Sequence, residues 1–193
     1  MRELSLHLLD IAENGVSAGA QNITITIEED LRADRLKLAV EDDGRGMDAA
    51  MVEQVTDPFI TTRTTRKVGL GIPLLKLAAE MCNGGLTVES TPGVGTTVKV
   101  DFQRSHIDRM PLGDVAGTML LLLVGWPQVH WVLRYRVDDE EYVFDDAPIK
   151  EELGDLPLSD PEVLTFLRGA LREGIAEITR RTRDDYVKVA EEG

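Results

Sequence analysis

The alternation of isoleucine and threonine in "NITITIEE" (residues 22–29) constrains the fold more than any other feature of this 193-residue chain. Successive side chains of a β-strand point to opposite faces, so the alternation predicts a half-buried strand. Before it, apolar residues recur at helical spacing over residues 3–17 and predict a helix. Residues 36–44, "LKLAVEDDG", predict a second strand that ends in a glycine-rich turn. The chain therefore begins with a helix and two strands.

Helices and strands continue up to Phe102. A short helix is predicted to begin at Asp48, and a longer helix spans residues 71–82, where "NGG" is a typical stop signal. Two strands follow, and "TPGVG" joins them as a hairpin-like connection into residues 95–102. We assign residues 1–104 to a first domain.

Residues 105–193 form a C-terminal extension with a different pattern. Its apolar segment, residues 115–126, predicts a buried helix or strand and is shorter than the ~20 apolar residues that a membrane-spanning helix needs. Residues 128–146 predict a β-hairpin, and an amphipathic helix is predicted over about residues 160–181. We expect the hairpin to extend or complete the sheet of the first domain.

The composition argues against several classes of partner. A net charge of −14 disfavours DNA, RNA and anionic membranes, because binding to them depends on Lys and Arg neutralising phosphates. The single cysteine, Cys82, excludes an intrachain disulfide and fits a reducing cytosol. We therefore expect a cytoplasmic protein with no nucleic-acid or membrane partner. A small anion held by backbone amides remains compatible with the charge.

Asp10 and Asn14 lie four residues apart in the first predicted helix, and hence on one face of it. A carboxylate beside a neutral amide oxygen suits a hydrated Mg²⁺ and a water molecule that must be oriented or deprotonated. The alternative interpretation is structural, because Asn14 followed by Gly15 is also typical of a helix C-terminus.

Two glycine pairs mark further candidate binding loops. Asp42 stands at a strand end before Gly44 and Gly46, which let the backbone approach a flat ligand, although a plain turn has the same pattern. Gly69 and Gly71 open a helix whose free amides and dipole favour an anion. The chain contains neither GxGxxG nor GxxxxGK[ST], which excludes the Rossmann and P-loop interpretations.

In this order, four motifs resemble the histidine-kinase-like ATPase superfamily, the GHKL group. They are the helix with Asp and Asn, the strand with DxGxG, the loop "DPFITTRTTRKVGLGIP" (residues 57–73) and the hairpin with "GTT". The group includes sensor histidine kinases, anti-sigma-factor serine kinases, DNA gyrase and mismatch-repair ATPases. The resemblance covers about residues 4–102. It implies an α/β two-layer sandwich, the Bergerat ATP-binding fold, with ATP and Mg²⁺ as cofactors and the C-terminal α+β extension attached.

The resemblance also implies a role for each motif. Asn14 matches the asparagine that chelates Mg²⁺, Asp10 occupies the position of the general base, and Asp42 matches the aspartate that reads adenine. Residues 57–70 match the flexible lid over the triphosphate, although its cations fit a solvated loop face equally well. The other residues that the resemblance brings to ATP are Gly44, Gly46, Thr61, Thr62, Arg63, Lys67, Gly69, Leu70, Gly71 and Thr96.

Two positions depart from the family pattern. Lys67 stands where the phosphate motif usually has an additional glycine, and its side chain could reach a γ-phosphate. Asp10 stands where members that hydrolyse ATP usually have glutamate, which is one methylene longer. His7, in the same helix, is assigned to packing or to the surface rather than to a phosphoacceptor role.

Three functions fit these motifs. The first is Mg²⁺-dependent phosphoryl transfer from ATP to water or to a separate regulatory protein. The second is a conformational switch, in which ATP orders the lid and gates a partner without significant catalysis. The third is a structural or redox module with an incidental glycine-rich core. The identity of the partner and the presence of a homodimer stay open.

Overall fold

The computed structural model of the protein describes residues 3–56 and 71–191, with side chains up to residue 180. The helices in these ranges are α1 (Leu4–Ser17), α2 (Ala49–Thr56), α3 (Gly71–Met81), α4 (Val115–Gly125), α5 (Ala147–Leu153) and α6 (Pro161–Glu191). The strands are β1 (Asn22–Asp30), β2 (Arg35–Asp42), β3 (Gly85–Thr91), β4 (Gly95–Gln103), β5 (His130–Val137) and β6 (Glu140–Asp145).

All six strands form one sheet, in the order β3-β4-β2-β1-β5-β6. β1 pairs parallel with β5, whereas the other four neighbouring pairs are antiparallel. The register sets Asn22 beside His130 and Ile23 beside Asp42. The structure therefore places the hairpin of the extension in the same sheet as the N-terminal strands, directly beside β1.

The sheet has one covered face and one face that carries mostly threonine and charged side chains. In β1, Ile23, Ile25 and Ile27 are buried, and the residues between them are partly exposed, as the alternation predicts. The four longest helices, α1, α3, α4 and α6, pack on the buried side. This arrangement confirms the predicted α/β two-layer sandwich.

The segment between β4 and α4 runs back to the start of the chain and completes α1. The first backbone N–H groups of a helix have no partner within it. Here the N–H groups of Leu4 and Ser5 donate to the carbonyl oxygens of Pro111 and Leu112, at 3.0 and 2.8 Å. The extension therefore supplies the N-terminal cap of the helix that carries Asp10 and Asn14.

The extension also shows where the sequence prediction was incomplete. The apolar segment forms helix α4 rather than a strand. The short helix α5 was not predicted, and α6 runs to Glu191 instead of ending near residue 181. Among the described residues, no helix combines the length and apolar character needed to cross a bilayer.

Candidate functional site

A cavity of about 200 Å³ lies where α1 meets the C-terminal end of β2 and the start of β4. Helices α2 and α3 close its remaining sides. The lining side chains are Ile11, Asn14, Ser17, Ala18, Asp42, Arg45, Met47, Met51, Val55, Ile72, Thr96 and Val98, together with the backbone of Gly15 and Gly46. Five polar side chains, those of Asn14, Ser17, Asp42, Arg45 and Thr96, therefore line a space whose other side chains are apolar.

This cavity brings together candidate residues that are up to 82 positions apart in the sequence. Asn14, Asp42, Gly46 and Thr96 line it directly. Gly44 adjoins it, because its N–H donates to Oδ1 of Asp42 at 2.9 Å. The three sequence motifs that the described residues contain in full thus meet at one site.

Asp42 is half-buried and lines this cavity. Burial raises its pKa above the ordinary value, whereas the backbone N–H groups of Gly44 and Thr96 work in the opposite direction. Helix α1 reaches the carboxylate closely at Gly15, where an added Cβ would stand 3.2 Å from the Asp42 carboxyl carbon. The carboxylate is therefore held between a glycine of α1 and the turn after β2.

Ser90 fixes the direction of the hydrogen bonds beside Asp42. Its hydroxyl accepts from the Met47 N–H at 2.8 Å and donates to the carbonyl oxygen of Gly95 at 3.0 Å. The Thr96 hydroxyl oxygen lies 2.9 Å from the Ser90 hydroxyl oxygen. Since the single Ser90 proton goes to Gly95, Thr96 must donate to Ser90. Thr96 then has only lone pairs left and can act towards a ligand only as an acceptor.

Gly46 shapes the loop between β2 and α2 that forms one wall of the cavity. Its φ is +65°, a left-handed conformation that glycine adopts freely. A side chain here would also overlap the carbonyl group of Thr91, which lies at the end of β3. The loop and the β3–β4 turn are further joined by the N–H of Gly93, which donates to the Arg45 carbonyl at 2.8 Å. Glycine at position 46 therefore allows the two loops to meet.

Asp10 lies one helical turn before Asn14, against the first residue of α3. A Cβ built on Gly71 would stand 3.0 Å from the Asp10 carboxyl carbon and would overlap its Oδ2. Gly71 itself is buried. The absence of a side chain at Gly71 thus lets α3 begin directly beside the Asp10 carboxylate.

His7 lies one turn earlier in α1 and is 3% exposed. Neither of its ring nitrogens has a hydrogen-bond partner among the residues that the structure describes. Burial lowers its pKa, although Asp10 and the backbone of Gly71 oppose this effect. His7 is therefore a buried, neutral packing residue below the site, as the sequence predicted in part.

The remaining predicted residues lie outside the described part of the chain. They are Thr61, Thr62, Arg63, Lys67, Gly69 and Leu70, all within residues 57–70. Of the predicted phosphate motif, the structure describes only Gly71. The assignments of the other six stay predictions.

Sequence reasoning missed the residues that give the cavity its apolar walls and its hydrogen-bond direction. Met51 and Val55 have a weak signal, because they stand four residues apart in α2 and thus share one face. Ile72 directly follows the predicted glycine motif. Ser90 carries no signal in the sequence, since its role depends on three partners that the sheet brings to it.

Several curated proteins are similar to the N-terminal half of the chain. Sensor protein DegM of a Bacillus sp. is 33% identical over 91 residues, which are 47% of this chain and 24% of that protein. Sensor protein kinase FleS of Pseudomonas aeruginosa is 38% identical over 89 residues, or 46% and 22%. Sporulation kinase C of Bacillus subtilis is 29% identical over 98 residues, or 51% and 23%. The chain spans less than a quarter of the length of these three relatives.

Solved structures are similar to the chain at lower identity. The N-terminal domain of a DNA repair protein superposes with a TM-score of 0.51 and 13% identity, covering 74% of this chain and 52% of that one. The Aquifex aeolicus MutL ATPase domain, solved with ADP, gives a TM-score of 0.47 at 15% identity, with 79% and 68% covered.

One family model matches more than half of the chain. It covers residues 2–106 and is described as histidine kinase-, DNA gyrase B-, and HSP90-like ATPase. These residues include α1 to α3 and β1 to β4, and thus every wall of the cavity. The chain therefore belongs to the family of histidine kinase-, DNA gyrase B- and HSP90-like ATPases.

Proposed function

We propose that the protein binds Mg-ATP in the cavity between α1 and the sheet, and that it transfers the γ-phosphoryl group to water or to a separate regulatory protein. The observation that carries the proposal is the pair of acceptors that line the cavity. Asp42 is a carboxylate, and Thr96 accepts because its proton goes to Ser90.

Two acceptors at one site select a ligand that presents donors there. Adenine does so with its exocyclic amine, whereas guanine and hypoxanthine present a carbonyl oxygen at the same position of the ring. That oxygen would face the Asp42 carboxylate without a proton between them, which leaves both groups unsatisfied. The site therefore favours adenine over the other purines.

The apolar lining supports a flat ring as the ligand. Met47, Met51 and Ile72 come from three different segments, and Val98 adds a β-branched side chain from β4. Methionine adapts its shape and contacts aromatic rings favourably. A few convergent polar groups in a mostly apolar pocket are the usual composition of a small-molecule site.

Asn14 and Asp10 fit the phosphate end of the nucleotide. Asn14 lines the cavity and is exposed, so its neutral amide oxygen is available to a hydrated Mg²⁺. Bound there, Mg²⁺ would neutralise charge on the triphosphate. Asp10, one helical turn away, would orient the nucleophile and take its proton as general base. Gly71 would hold the Asp10 carboxylate in place from the opposite side.

Residues 57–70 complete the proposed site. Thr61, Thr62, Arg63, Lys67, Gly69 and Leu70 are proposed to contact the phosphates as part of a lid, in line with the sequence resemblance. Lid closure would exclude water from the reacting group. In this proposal, residues 1–104 are the ATP-binding domain and residues 105–193 are its extension. The protein is proposed to be cytoplasmic.

An apolar stripe beside the site supports a protein partner. Leu74, Leu77 and Met81 follow each other on one face of α3, and they are 50%, 53% and 63% exposed. Exposed apolar groups in a contiguous patch are typical of protein–protein contacts. A partner docked on α3 would lie next to the start of that helix, and hence next to Asp10. A homodimer is a second arrangement that this stripe would allow.

A conformational switch remains the second candidate function. In that case ATP binding would order residues 57–70 and gate the partner, and chemistry would be slow or absent. The observation that favours it is the shorter side chain of Asp10 where hydrolysing members usually have glutamate.

The decisive experiment measures binding and phosphoryl transfer on the same samples. Isothermal titration with ATP and Mg²⁺ gives the affinity, and γ-labelled ATP shows free phosphate and labelled partner protein. Asp42→Asn is expected to weaken ATP binding about tenfold, because one charge-assisted hydrogen bond is worth ~1.5–3 kcal/mol. Asp10→Asn is expected to abolish transfer but to leave ATP affinity within about twofold of the wild type.

Each outcome selects a function. Binding and transfer that separate in this way support the enzyme. Binding without transfer in the wild type, with a protein partner present, supports the switch. If the wild type fails to bind ATP at millimolar concentration, both are wrong and a structural role replaces them.

A further inference from the structure

A row of four polar side chains crosses the end of the sheet beside the adenine pocket. The polar row consists of Asp43 after β2, Asn22 at the start of β1, His130 at the start of β5 and Asp145 at the end of β6. The four strands lie side by side in this order in the sheet. The row therefore links the C-terminal extension to the residue that follows Asp42.

Asp43 ties the two N-terminal strands together. Its Oδ1 accepts from the backbone N–H groups of Gln21 and Asn22, at 2.7 and 2.9 Å. Its Oδ2 accepts from the Asn22 side-chain amide at 2.6 Å. Burial alone would raise the pKa of Asp43, but these bonds outweigh it and lower the pKa. Asp43 is therefore an ionised carboxylate that can only accept.

His130 continues the row into the extension. Its Nδ1 lies 3.0 Å from Oδ1 of Asn22, and its Nε2 lies 2.9 Å from Oδ1 of Asp145. The same Asp145 oxygen accepts from the Ala147 N–H at 2.8 Å. The Ala147 N–H and, next, His130 lower the pKa of Asp145, so it is also an ionised acceptor.

These contacts determine how the amide of Asn22 is oriented. Because Asp43 can only accept, the amide nitrogen of Asn22 must face it, and the amide oxygen must face His130. His130 then has an acceptor at each ring nitrogen, the amide oxygen of Asn22 and the carboxylate of Asp145. Its ring thus connects the start of β1 to the end of β6.

We propose that His130 is a positioning residue of the adenine site, which holds Asp42 in orientation through Asn22 and Asp43. The proposal rests on the proposed function, because it assigns Asp42 to the recognition of adenine. Asp43 follows Asp42 directly, and its N–H donates to the Asn22 carbonyl at 3.3 Å. A shift of Asn22 therefore moves the backbone that carries the Asp42 carboxylate.

Positioning of this kind matters because recognition of a single amine is directional. A binding group must be held within ~0.5 Å and 10–20° of its productive geometry, and neighbouring hydrogen bonds provide that support. The side chains of His130 and Asp145 are 35% and 45% exposed, so water weakens their interaction. The expected effect of losing His130 is accordingly smaller than that of losing Asp42.

A metal ion is a less suitable explanation of the same groups. Ligand atoms of His130, Asp145 and Asp146 lie within 4.8 Å of one another. However, Oδ2 of Asp146 is paired with the Lys150 ammonium at 2.6 Å, and its Oδ1 accepts from the Trp131 N–H at 3.0 Å. Oδ1 is thus hydrogen-bonded and Oδ2 lies against the Lys150 ammonium, so a metal cation bound here would stand next to the Lys150 charge.

The test compares ADP with inosine diphosphate, which has a carbonyl oxygen in place of the adenine amine. Calorimetry with Mg²⁺ gives both dissociation constants for the wild type, His130→Phe and the matched control His106→Phe. His106 lies in the loop after β4 and bonds to the backbone of Asp108. We expect His130→Phe to lose about fivefold of the preference for ADP, corresponding to ~1 kcal/mol, and His106→Phe to keep it.

Equal weakening of both nucleotides by His130→Phe would mean that the row only stabilises the fold, and would overturn the proposal. An unchanged preference in a folded variant would overturn it as well. If His130→Phe does not fold, His130→Gln replaces it. The glutamine amide nitrogen can donate either to Asn22 or to Asp145, whereas its oxygen can donate to neither, so the same loss of preference is expected.

A second measurement tests, without any nucleotide, whether the polar row holds the Asp42 carboxylate in orientation. The N–H of Gly44 donates to Asp42, so its amide resonance reports the orientation of that carboxylate. We expect His130→Phe to shift the ¹H–¹⁵N resonance of Gly44 and His106→Phe to leave it in place. An unmoved Gly44 resonance would overturn the proposal. Failure of the wild type to bind ADP would instead refute the proposed function, and the Gly44 resonance would still decide the coupling.

Discussion

The contact between Gly71 and Asp10 predicts that an alanine at position 71 impairs catalysis without impairing the fold. A Cβ at this position would stand 3.0 Å from the Asp10 carboxyl carbon, whereas carbon atoms in contact are ~3.5–4.0 Å apart. The same Cβ would overlap Oδ2, so the carboxylate must rotate away or move by about 1 Å or more. A misplacement of ~1 Å at a reacting group can cost ~10²-fold in rate. We expect phosphoryl transfer to fall roughly ten- to hundredfold in Gly71→Ala.

The fold should tolerate this change. Alanine is favoured over glycine in helices by up to ~1 kcal/mol, and Gly71 is the first residue of α3. The free energy of unfolding is thus expected to stay within about 1 kcal/mol of the wild type. Gly169→Ala is the matched control, because Gly169 lies inside α6 and a Cβ there would contact nothing. It should stabilise the protein and leave transfer unchanged.

The assay measures single-turnover release or transfer of γ-labelled phosphate at saturating ATP, with ATP affinity and urea unfolding on the same variants. Normal transfer by folded Gly71→Ala would show that the position of the Asp10 carboxylate against α3 is irrelevant to catalysis. A parallel loss of ATP affinity would indicate a general distortion of the site and would equally refute the argument.

Two further predictions concern the loop and the buried histidine. Gly46→Ala should cost at least ~1–2 kcal/mol in urea unfolding and weaken ADP binding, because φ is +65° and the new Cβ would overlap the Thr91 carbonyl; unchanged ADP affinity would contradict the role of this loop. Burial lowers the pKa of His7 in the folded protein, so on acidification the imidazole is protonated in the unfolded chain before it is protonated in the folded one. The contribution of His7 to the free energy of unfolding is therefore complete above pH ~6.5 and is lost as the pH falls towards the pKa of the folded state. His7→Leu should remove this pH dependence and raise the free energy of unfolding at pH 7 by ~1–3 kcal/mol, because neither ring nitrogen has a hydrogen-bond partner among the described residues. Urea unfolding at pH 7.5 and pH 5 tests this, and equal losses on acidification in both proteins would contradict it.

The strands and the first helix were predictable because their burial repeats with a short period in the sequence. Ile23, Ile25 and Ile27 alternate with partly exposed residues, and the sheet buries the isoleucine side. The apolar segment at residues 115–126 was ambiguous for the opposite reason. A run such as "MLLLLV" has no polar face, so periodicity cannot distinguish a helix from a strand. Only packing beside α1 and α6 decides that it is helical.

The residues of the site also divide into those that belong to a local sequence motif and those whose roles depend on the assembled fold. Asp42 and Asn14 were predicted because they belong to short motifs whose order resembles a family. Ser90 and His130 were not, because their roles depend on pairing between distant segments. His130 meets Asn22, 108 residues earlier, only because β5 pairs parallel with β1. No tight turn joins β1 to β5, so a local sequence pattern does not reveal that the two strands pair.

The parallel pair of β1 and β5 connects the extension to the proposed nucleotide site. Without β5, β1 would be an edge strand with unpaired N–H and C=O groups, and edge strands are the more mobile and adaptable part of a sheet. With β5 in place, β1 is bonded on both sides, and the polar row fixes its first residue beside Asp43. The cap that Pro111 and Leu112 provide acts on the other wall of the cavity, helix α1. The extension therefore supports both walls that hold Asp42 and Asn14, although every described residue that lines the cavity lies between positions 11 and 98.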